Sequence, residues 1–425
     1  MKWFLPLTKE KLLQLKVTYP EAKLVIGNTE IGVEVKFKNQ HYPVLINTRH
    51  IPELNEIKRM ESGVYVGSAV TLTRLSRFLK GLIQQEPTNK TRSFEAIIEM
   101  LKWFAGIQIR NVASIGGNIV TASPISDLNP LLMAAGASLD VLSIKGARKI
   151  SLDDSFFLGY RKIALESNEV LGGVHIPFTR NDEYFYGFKQ AQRKEDDISI
   201  VNAGMMVEFE EDSNKVKEIR LSFGGMAATT VMAKKTMTEL KGRIWNTKMM
   251  NLAIETLLED LPLTPGAPGG MEAYRQSLAL GFFFKFFIKV STDISSDEDS
   301  LPEHWKSAVS ELTSKPFKST QLFQEVSESQ DIFDPVGRPQ MVLSALQQAT
   351  GEAVYNDDLP RIEGELFLAL VYSTNAHANI RSIDFEAALS VEGVYDVVSA
   401  KDVPGENSFH VIVSDETLFA DEKVY

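Results

Sequence analysis

The sequence predicts an α+β fold divided into more than one domain. Three observations lead there. Over roughly the first 290 residues, β-branched runs alternate with segments whose apolar residues keep helical spacing. A stretch rich in Ser, Asp, Glu and Lys follows, from Ser291 to Asp331. Strand-length apolar runs then resume. With 425 residues, 44% hydrophobic and 24% charged, the chain has globular composition and length for two or three domains.

Taken in order, Thr8 to Thr18 carries leucines at 12, 13 and 15 among lysines, which predicts a short surface helix capped by Thr8 and stopped before Pro20. "KLVIGN", Lys23 to Asn28, predicts a buried strand entering a turn at Gly27. "FEAIIEMLKWFAG" places Phe94, Ile97, Ile98, Leu101 and Phe104 on one helical face, with Gly106 able to end the helix. "SLDVLSI", "EVLGGVHIPF" and "KEIRLSFGGM" read as strands, the last breaking at its Gly-Gly pair. Tyr274 to Val290 is the most apolar segment, but Arg275, Lys285 and Lys289 interrupt it. It predicts a buried helix rather than a membrane span. The polar stretch beyond it predicts a solvated linker. After it, "ELFLALVYSTNAHANIRSIDF" again predicts strands.

Composition narrows the chemistry. A net charge of −11 gains nothing from counterion release, so no nucleic-acid partner is expected. The chain has no cysteine, which excludes disulfides, thiolate catalysis, Cys-held zinc and iron–sulfur clusters within it. None of its 6 histidines forms an H-x-x-x-H pair. No catalytic side chain and no metal ligand stands out. The N-terminal apolar patch is too short for a signal peptide, so a cytoplasmic location is expected, with the peroxisome as the alternative, and no membrane partner.

Two glycine loops remain. "GNTEIG", Gly27 to Gly32, lacks the Lys-Ser/Thr of a phosphate-binding P-loop, and no G-x-G-x-x-G follows a strand. The loops at Gly27 and at Gly116-Gly117 are either plain turns or places where main-chain N–H groups converge on an anion such as a pyrophosphate. Asp127 reads either as a turn or helix cap or as an acceptor for a ligand hydroxyl. "RKEDDI", Arg193 to Ile198, reads as a solvated charged face.

Set together, "KLVIGNTEIGVEVKF", "WFAGIQIRNVASIGGNIVTASPISDLNP", "FFLGYRK", "FKQAQRKEDDI", "APGGM" and "FFFKFF" resemble the FAD-binding domain of the xanthine dehydrogenase and aldehyde oxidase family, from about Leu12 to Val290. "GRPQ", "TGEAVYNDDLP", "STNAHANIRSID" and "DVPG" resemble the opening of the family's molybdenum-binding region, an α/β hammerhead. The resemblance implies a vanillyl-alcohol-oxidase-type (PCMH-type) FAD-binding domain at 1–180, its C-terminal subdomain at 181–290, a linker at 291–335 and a partial hammerhead at 336–425.

It also implies a cofactor set. Leu24, Val25, Ile26, Gly27, Asn28, Thr29, Glu30 and Ile31 form one FAD segment. Ser114, Ile115, Gly116, Gly117 and Asn118 form a second, with Phe104 by the isoalloxazine and Asp127, Leu171 and Lys189 completing the set. Both segments are expected to wrap the pyrophosphate with main-chain N–H groups, their glycines letting backbone approach phosphate. "ASPISDLNP" and "RKEDDI" resemble the dehydrogenase branch, in which Asp196 would lie beside the flavin, and Tyr160, Gly224 and Gly225 near the nicotinamide of an NAD acceptor. The complete enzymes are homodimers with iron–sulfur and molybdopterin domains, for which this chain has no cysteines and no full molybdenum domain. Purine hydroxylation is therefore not expected of this chain alone, which resembles a piece of a longer enzyme. An aldehyde oxidase piece with oxygen as acceptor, and a non-catalytic piece, stay open as alternatives.

Overall fold

The computed structural model describes residues 1–193, 197–294, 301–310, 325–409 and 416–424. Asp196 lies outside the described residues. The chain divides into two units, Met1–Ser314 and Lys315–Tyr425.

The first unit opens with β1 (Lys2–Phe4), α1 (Lys9–Thr18), β2 (Lys23–Val25), α2 (Ile31–Lys38) and β3 (Val44–Asn47). The three strands run parallel in the order β1-β3-β2. Thr8 Oγ1 accepts from the Lys11 amide at 3.3 Å, so α1 starts at the expected cap. Leu12, Leu13 and Leu15 of α1 pack with Ile46, Ile51 and Leu54 in a small core. β2 ends at Val25, just before the turn expected at Gly27. Asn28 takes a φ of 57°, and a left-handed residue cannot continue a strand.

A second layer follows: β4 (Ile57–Met60), β5 (Gly63–Gly67), α3 (Leu72–Ile83), α4 (Thr88–Lys102), α5 (Ile107–Arg110), α6 (Ile115–Thr121), α7 (Asn129–Ala134), β6 (Ser138–Ser143), β7 (Gly146–Ser151), β8 (Phe157–Gly159), β9 (Lys162–Ile163) and β10 (Val170–Pro177). Five of these strands make an antiparallel sheet in the order β4-β5-β10-β6-β7. α3, α4, α6 and α7 bury their apolar sides in the largest core, around Leu75, Phe94, Ile115 and Leu131. α4 buries Phe94, Ile97 and Leu101 as its spacing predicts, but it stops at Lys102 rather than at Gly106. Ala105 turns the chain at a φ of 42°. Arg110 holds that turn by donating to the carbonyls of Phe104, at 2.6 Å, and of Ala105. Gly106 instead precedes α5 as its cap.

The third part comprises β11 (Glu183–Ala191), β12 (Ser199–Phe209), β13 (Val216–Gly224), β14 (Val231–Met232), α8 (Lys234–Leu240), α9 (Thr247–Asp260), α10 (Glu272–Ile294) and α11 (Glu303–Lys306). Its antiparallel sheet runs β11-β12-β13-β14. β12 is buried on both faces: Met206 points to the core under α7, while Met205 and Val207 point to the core under α10. Ala203 to Val207 at its centre therefore form a continuous apolar run instead of an alternating one.

α10 runs to Ile294, past the expected start of the linker at 291, with Phe282, Phe283, Phe286 and Phe287 buried. Ser291 is itself buried and accepts a hydrogen bond from the Trp245 indole at 3.0 Å. Leu301, Trp305, Ala308 and Val309 also pack on this core, Trp305 edge-on to Phe284 at 5.2 Å. Residues 301–310, within the stretch expected to be a solvated linker, thus pack on this core. The few apolar residues in a charged stretch are the ones that dock.

The second unit contains α12 (Ala345–Thr350), β15 (Ala378–Asn379), α13 (Glu386–Leu389) and β16 (Lys423–Val424), with β15 antiparallel to β16. The expected strands in "ELFLALVY" do not form: Leu366, Phe367, Leu368, Leu370, Val371 and Tyr372 are exposed and unpaired in any sheet. No described residue of this unit is buried. Apolar runs become strands only where a core and a neighbouring strand receive them.

Candidate functional site

A cavity of about 680 Å³ opens in the first unit, within the size range of small-molecule sites. Its wall is built from the loop joining β2 to α2, the cap and first turn of α6, the Phe104–Ala105 turn, Leu171 of β10, the segment between β9 and β10, and Ser199 of β12.

The loop after β2 carries the chemistry. The amides of Gly27, Asn28, Thr29 and Glu30 donate to no acceptor among the described residues. Buried or cavity-facing N–H groups normally find partners, so four consecutive unpartnered donors are available to a ligand acceptor such as an anion. Gly27 has a separate reason to be glycine. A Cβ there would lie 2.1 Å from the carbonyl oxygen of Val112, which means the loop presses against the chain entering α6.

The second glycine loop corrects the expectation. The amides of Ile115, Gly116, Gly117 and Asn118 are already engaged, by the Val70 and Ser68 carbonyls, the Ser114 hydroxyl and the Ser114 carbonyl. They do not form a second main-chain cradle. Gly116 is glycine because a Cβ would sit 2.5 Å from Ser68, a protein contact and not a phosphate contact. What this segment offers the cavity is side chains. Asn118 Oδ1 accepts from Ser126 at 2.7 Å, which leaves its amide NH₂ to donate elsewhere.

Asp127 neither caps α7 nor closes a turn on its own backbone. Lys189 Nζ donates to its Oδ2 at 2.7 Å, Ser199 to its Oδ1 at 2.5 Å and Asn202 to the same oxygen at 3.1 Å. Lys189 also donates to the Trp103 carbonyl at 2.9 Å. The side chains of Asp127 and Lys189 are 8% and 7% exposed, so this is a buried, hydrogen-bonded ion pair with room on Oδ2 for a further donor. It ties β11 to the turn that presents Phe104. The hydroxyl at Ser126, not Asp127, accepts from the Asn129 amide at the start of α7.

The structure gathers Leu24, Val25, Ile26, Gly27, Asn28, Thr29, Glu30, Ile31, Phe104, Ser114, Gly116, Gly117, Asn118, Asp127 and Leu171 around one cavity. Ile115 is the exception in its segment: it is fully buried in the main core. Lys189 reaches the site through Asp127. Tyr160, 62% exposed, Gly224 and Gly225 do not line the cavity. Both glycines are explained by packing, since a Cβ would meet Asn202 Oδ1 at 2.2 Å or the Ile200 carbonyl at 2.2 Å.

Several residues in and around the cavity carry no signal in the sequence. Ser199 and Asn202 complete the Asp127 cluster from 72 and 75 residues away. Lys16 lines the wall, and its ammonium donates to the carbonyls of Pro20, at 2.5 Å, and Ala22, at 3.2 Å. Burial pushes its pKa down. Arg161 and Glu34 meet across the loop. The Tyr42 hydroxyl donates to Glu34 at 2.7 Å, and its pKa is pushed up to about 12, by burial first and then by that bond. Among the described residues no group of His, Asp and Glu could hold a metal ion, and no helix is long and apolar enough to cross a membrane.

Residues 1–179 match the family described as the FAD binding domain in molybdopterin dehydrogenase, and residues 186–290 the CO dehydrogenase flavoprotein C-terminal domain. Residues 350–425 match the a/b hammerhead domain of aldehyde oxidase and xanthine dehydrogenase. The chain is 49% identical over 429 residues to xanthine dehydrogenase/oxidase of Gallus gallus, an alignment covering 99% of this chain and 32% of that protein. The chain belongs to the xanthine dehydrogenase and aldehyde oxidase family.

A second relative in that family, xanthine dehydrogenase of Calliphora vicina, is 45% identical over 432 residues, covering 100% of this chain and 32% of the relative. The chain thus spans about a third of the length of these family members. It carries the family's FAD-binding domain, its flavoprotein C-terminal domain and the start of its hammerhead. Two solved structures share the fold. Carbon monoxide dehydrogenase from Hydrogenophaga pseudoflava, lacking the Mo-pyranopterin moiety of its cofactor, has a TM-score of 0.59 and 21% identity, covering 67% of this chain and 94% of that one. Quinoline 2-oxidoreductase from Pseudomonas putida 86 has a TM-score of 0.59 and 22% identity, covering 69% and 97%.

Proposed function

We propose that the cavity holds non-covalent FAD and that the chain is the electron-delivering flavin part of a xanthine dehydrogenase-like enzyme, with NAD⁺ as acceptor. The observation that carries the reading is the row of four unpartnered amides, Gly27 to Glu30, on the wall of a cavity that also presents Phe104 and Asp127. Consecutive main-chain donors suit a diphosphate, and a buried paired carboxylate suits a ligand hydroxyl or N–H. The residues present therefore fit the group.

Gly27, Asn28, Thr29 and Glu30 would bind the diphosphate through the main chain. Ser114 and Asn118 would add side-chain donors. Phe104 and Leu171 would bound the flavin ring, and Asp127 would be held in place by Lys189. When bound, FAD supplies hydride transfer to a nicotinamide, and the protein's part is binding, orientation and exclusion of water. The nicotinamide-side set is Tyr160, Asp196, Gly224 and Gly225. In longer members of the family, iron–sulfur and molybdenum domains would deliver the electrons and complete a homodimer. The fold we infer for residues 1–180 is of the vanillyl-alcohol-oxidase type, with the C-terminal subdomain following to Val290 or beyond.

The test is spectroscopic. The purified full chain, incubated with FAD and desalted, should retain a protein-bound flavin spectrum. A colourless product would overturn the reading. If the loaded chain is then reduced anaerobically and given NAD⁺, NADH should appear. Reoxidation by oxygen but not by NAD⁺ would move the assignment to an oxidase.

A further inference from the structure

α2 is anchored in an unusual way. It contributes Ile31 and Glu34 to the cavity wall, yet none of its 8 residues is buried, and Val33, Val35 and Phe37 are exposed. A two-turn helix has little stability alone, so something other than apolar burial must hold it. The holding contacts are polar, and the short ones centre on one guanidinium and its partner Glu34, Lys38 adding a longer ion pair to Glu30 at 3.9 Å. Arg161 Nη1 donates to Glu34 at 2.6 Å and Nη2 donates to Glu30. The remaining oxygen of Glu34 accepts from Tyr42 at 2.7 Å.

Arg161 sits at the tip of the hairpin between β8 and β9, 131 residues beyond Glu30. Its φ of 57° is left-handed, which a long side chain rarely adopts. Such a conformation persists where surrounding contacts over-determine it. The guanidinium is 22% exposed and Glu34 13%, so these bonds are only partly screened by water. Arg161 itself lines the cavity.

We propose that Arg161 is a positioning residue of the cofactor site: its guanidinium clasps the loop Gly27–Glu30 and α2 so that the unpartnered amides face the cavity, and thereby sets how long FAD stays bound. The proposal rests on the reading of the cavity as an FAD site. Arg161 need not touch the flavin. It acts by fixing Glu30, the last residue of the amide row, and Glu34, one helical turn on.

The test uses the full chain and two readouts. Arg161→Asn removes the fork while suiting a left-handed backbone. Loaded with FAD and diluted, this variant should release the flavin about tenfold faster than the unsubstituted chain, followed by fluorescence recovery. Arg161→Lys, which can engage one carboxylate at a time, should fall between them, and Glu34→Gln should speed release from the other side of the clasp. Raising salt from about 0.05 to about 0.5 M should hasten release from the unsubstituted chain and change Arg161→Asn little. Equal release rates, or a salt response in Arg161→Asn as large as that of the unsubstituted chain, would overturn the proposal. The second readout needs no flavin. Trypsin should cut the ligand-free Arg161→Asn chain after Lys36 and Lys38 several-fold faster than the unsubstituted one. Equal cutting there sinks the clasp. Faster cutting with unchanged release sinks its link to the cofactor. An unsubstituted chain that binds no FAD sinks the cavity reading, while the trypsin comparison still decides whether the clasp exists.

Discussion

At the scale of single residues, three glycines that look alike in sequence do different things. Gly27 and Gly116 face backbone: their added Cβ atoms would meet the Val112 carbonyl at 2.1 Å and the Ser68 carbonyl at 2.5 Å. Gly117 meets only the Ser114 hydroxyl, at 2.9 Å, which can rotate away. Gly27→Ala and Gly116→Ala should each lose about 1–3 kcal/mol of stability through overpacking. Gly117→Ala should stay within about 1 kcal/mol of the parent, since a weakened cap is offset by better helix propensity. Urea unfolding of the three variants decides the matter, and equal losses at all three would refute the packing account. Asp127 is the second residue-scale case. Asp127→Asn leaves the buried Lys189 ammonium without its counter-charge, which should cost about 3–5 kcal/mol. A loss under about 1 kcal/mol would mean that Lys189 escapes to water, as exposed pairs allow.

Between elements, the clearest polar link is that from Arg148 on β7 to Glu169 just before β10. Arg148 donates to both carboxylate oxygens, at 2.7 and 2.8 Å, and the Glu166 amide donates to one of them at 2.9 Å. The hydrogen bond from Arg148 is the main reason that Glu169 lies below the usual glutamate range. Because the folded pKa is depressed, the link stabilises the fold above the ordinary glutamate pKa and is lost as pH falls through the folded value. Arg148→Gln should therefore cost no more than about 1 kcal/mol near neutral pH, the pair being partly exposed to solvent. The gap between variant and parent should close between about pH 5 and pH 3. Urea midpoints across that range report it, and a gap that widens on acidification would reverse the sign and refute the assignment. Element boundaries were the less legible part of the sequence. The apolar spacing of α4 was readable, but its end was not. Trp103 to Gly106 keep the helical pattern, and only the contacts of Arg110 and Ala105 show the chain turning there.

On the scale of the whole molecule, all cavity residues and all three apolar cores lie within the unit Met1–Ser314. A fragment of residues 1–310 should therefore keep the melting temperature and FAD affinity of the full chain. A fragment ending at 290 should not, because it removes Ser291 from Trp245 and the packing of Leu301 and Trp305 on the α10 core. Loss of a half-buried aromatic contact and a buried hydrogen bond together should cost about 2–4 kcal/mol. Thermal melts of both fragments test this. Equal stability would return the domain end to Val290.

The sequence by itself determined the kind of molecule and pointed to part of the cavity wall. Alternating strand and helix patterns announced the layers, the absence of cysteine excluded whole classes of chemistry, and ordered motifs pointed to the family and to two loops of the cavity wall. These are local properties: a β-branched run, a helical stripe or a glycine loop is written in adjacent residues. The tertiary structure alone decided which amides are left without a partner, because Gly116 and Gly117 donate to Ser68 and Ser114, which only the fold brings to them. It alone joined Asp127 to Lys189 and Ser199, and Glu30 to Arg161, since charges 62 to 131 residues apart meet only through packing. It also withheld strands from "ELFLALVY", because a strand is a property of its neighbours as much as of its own residues.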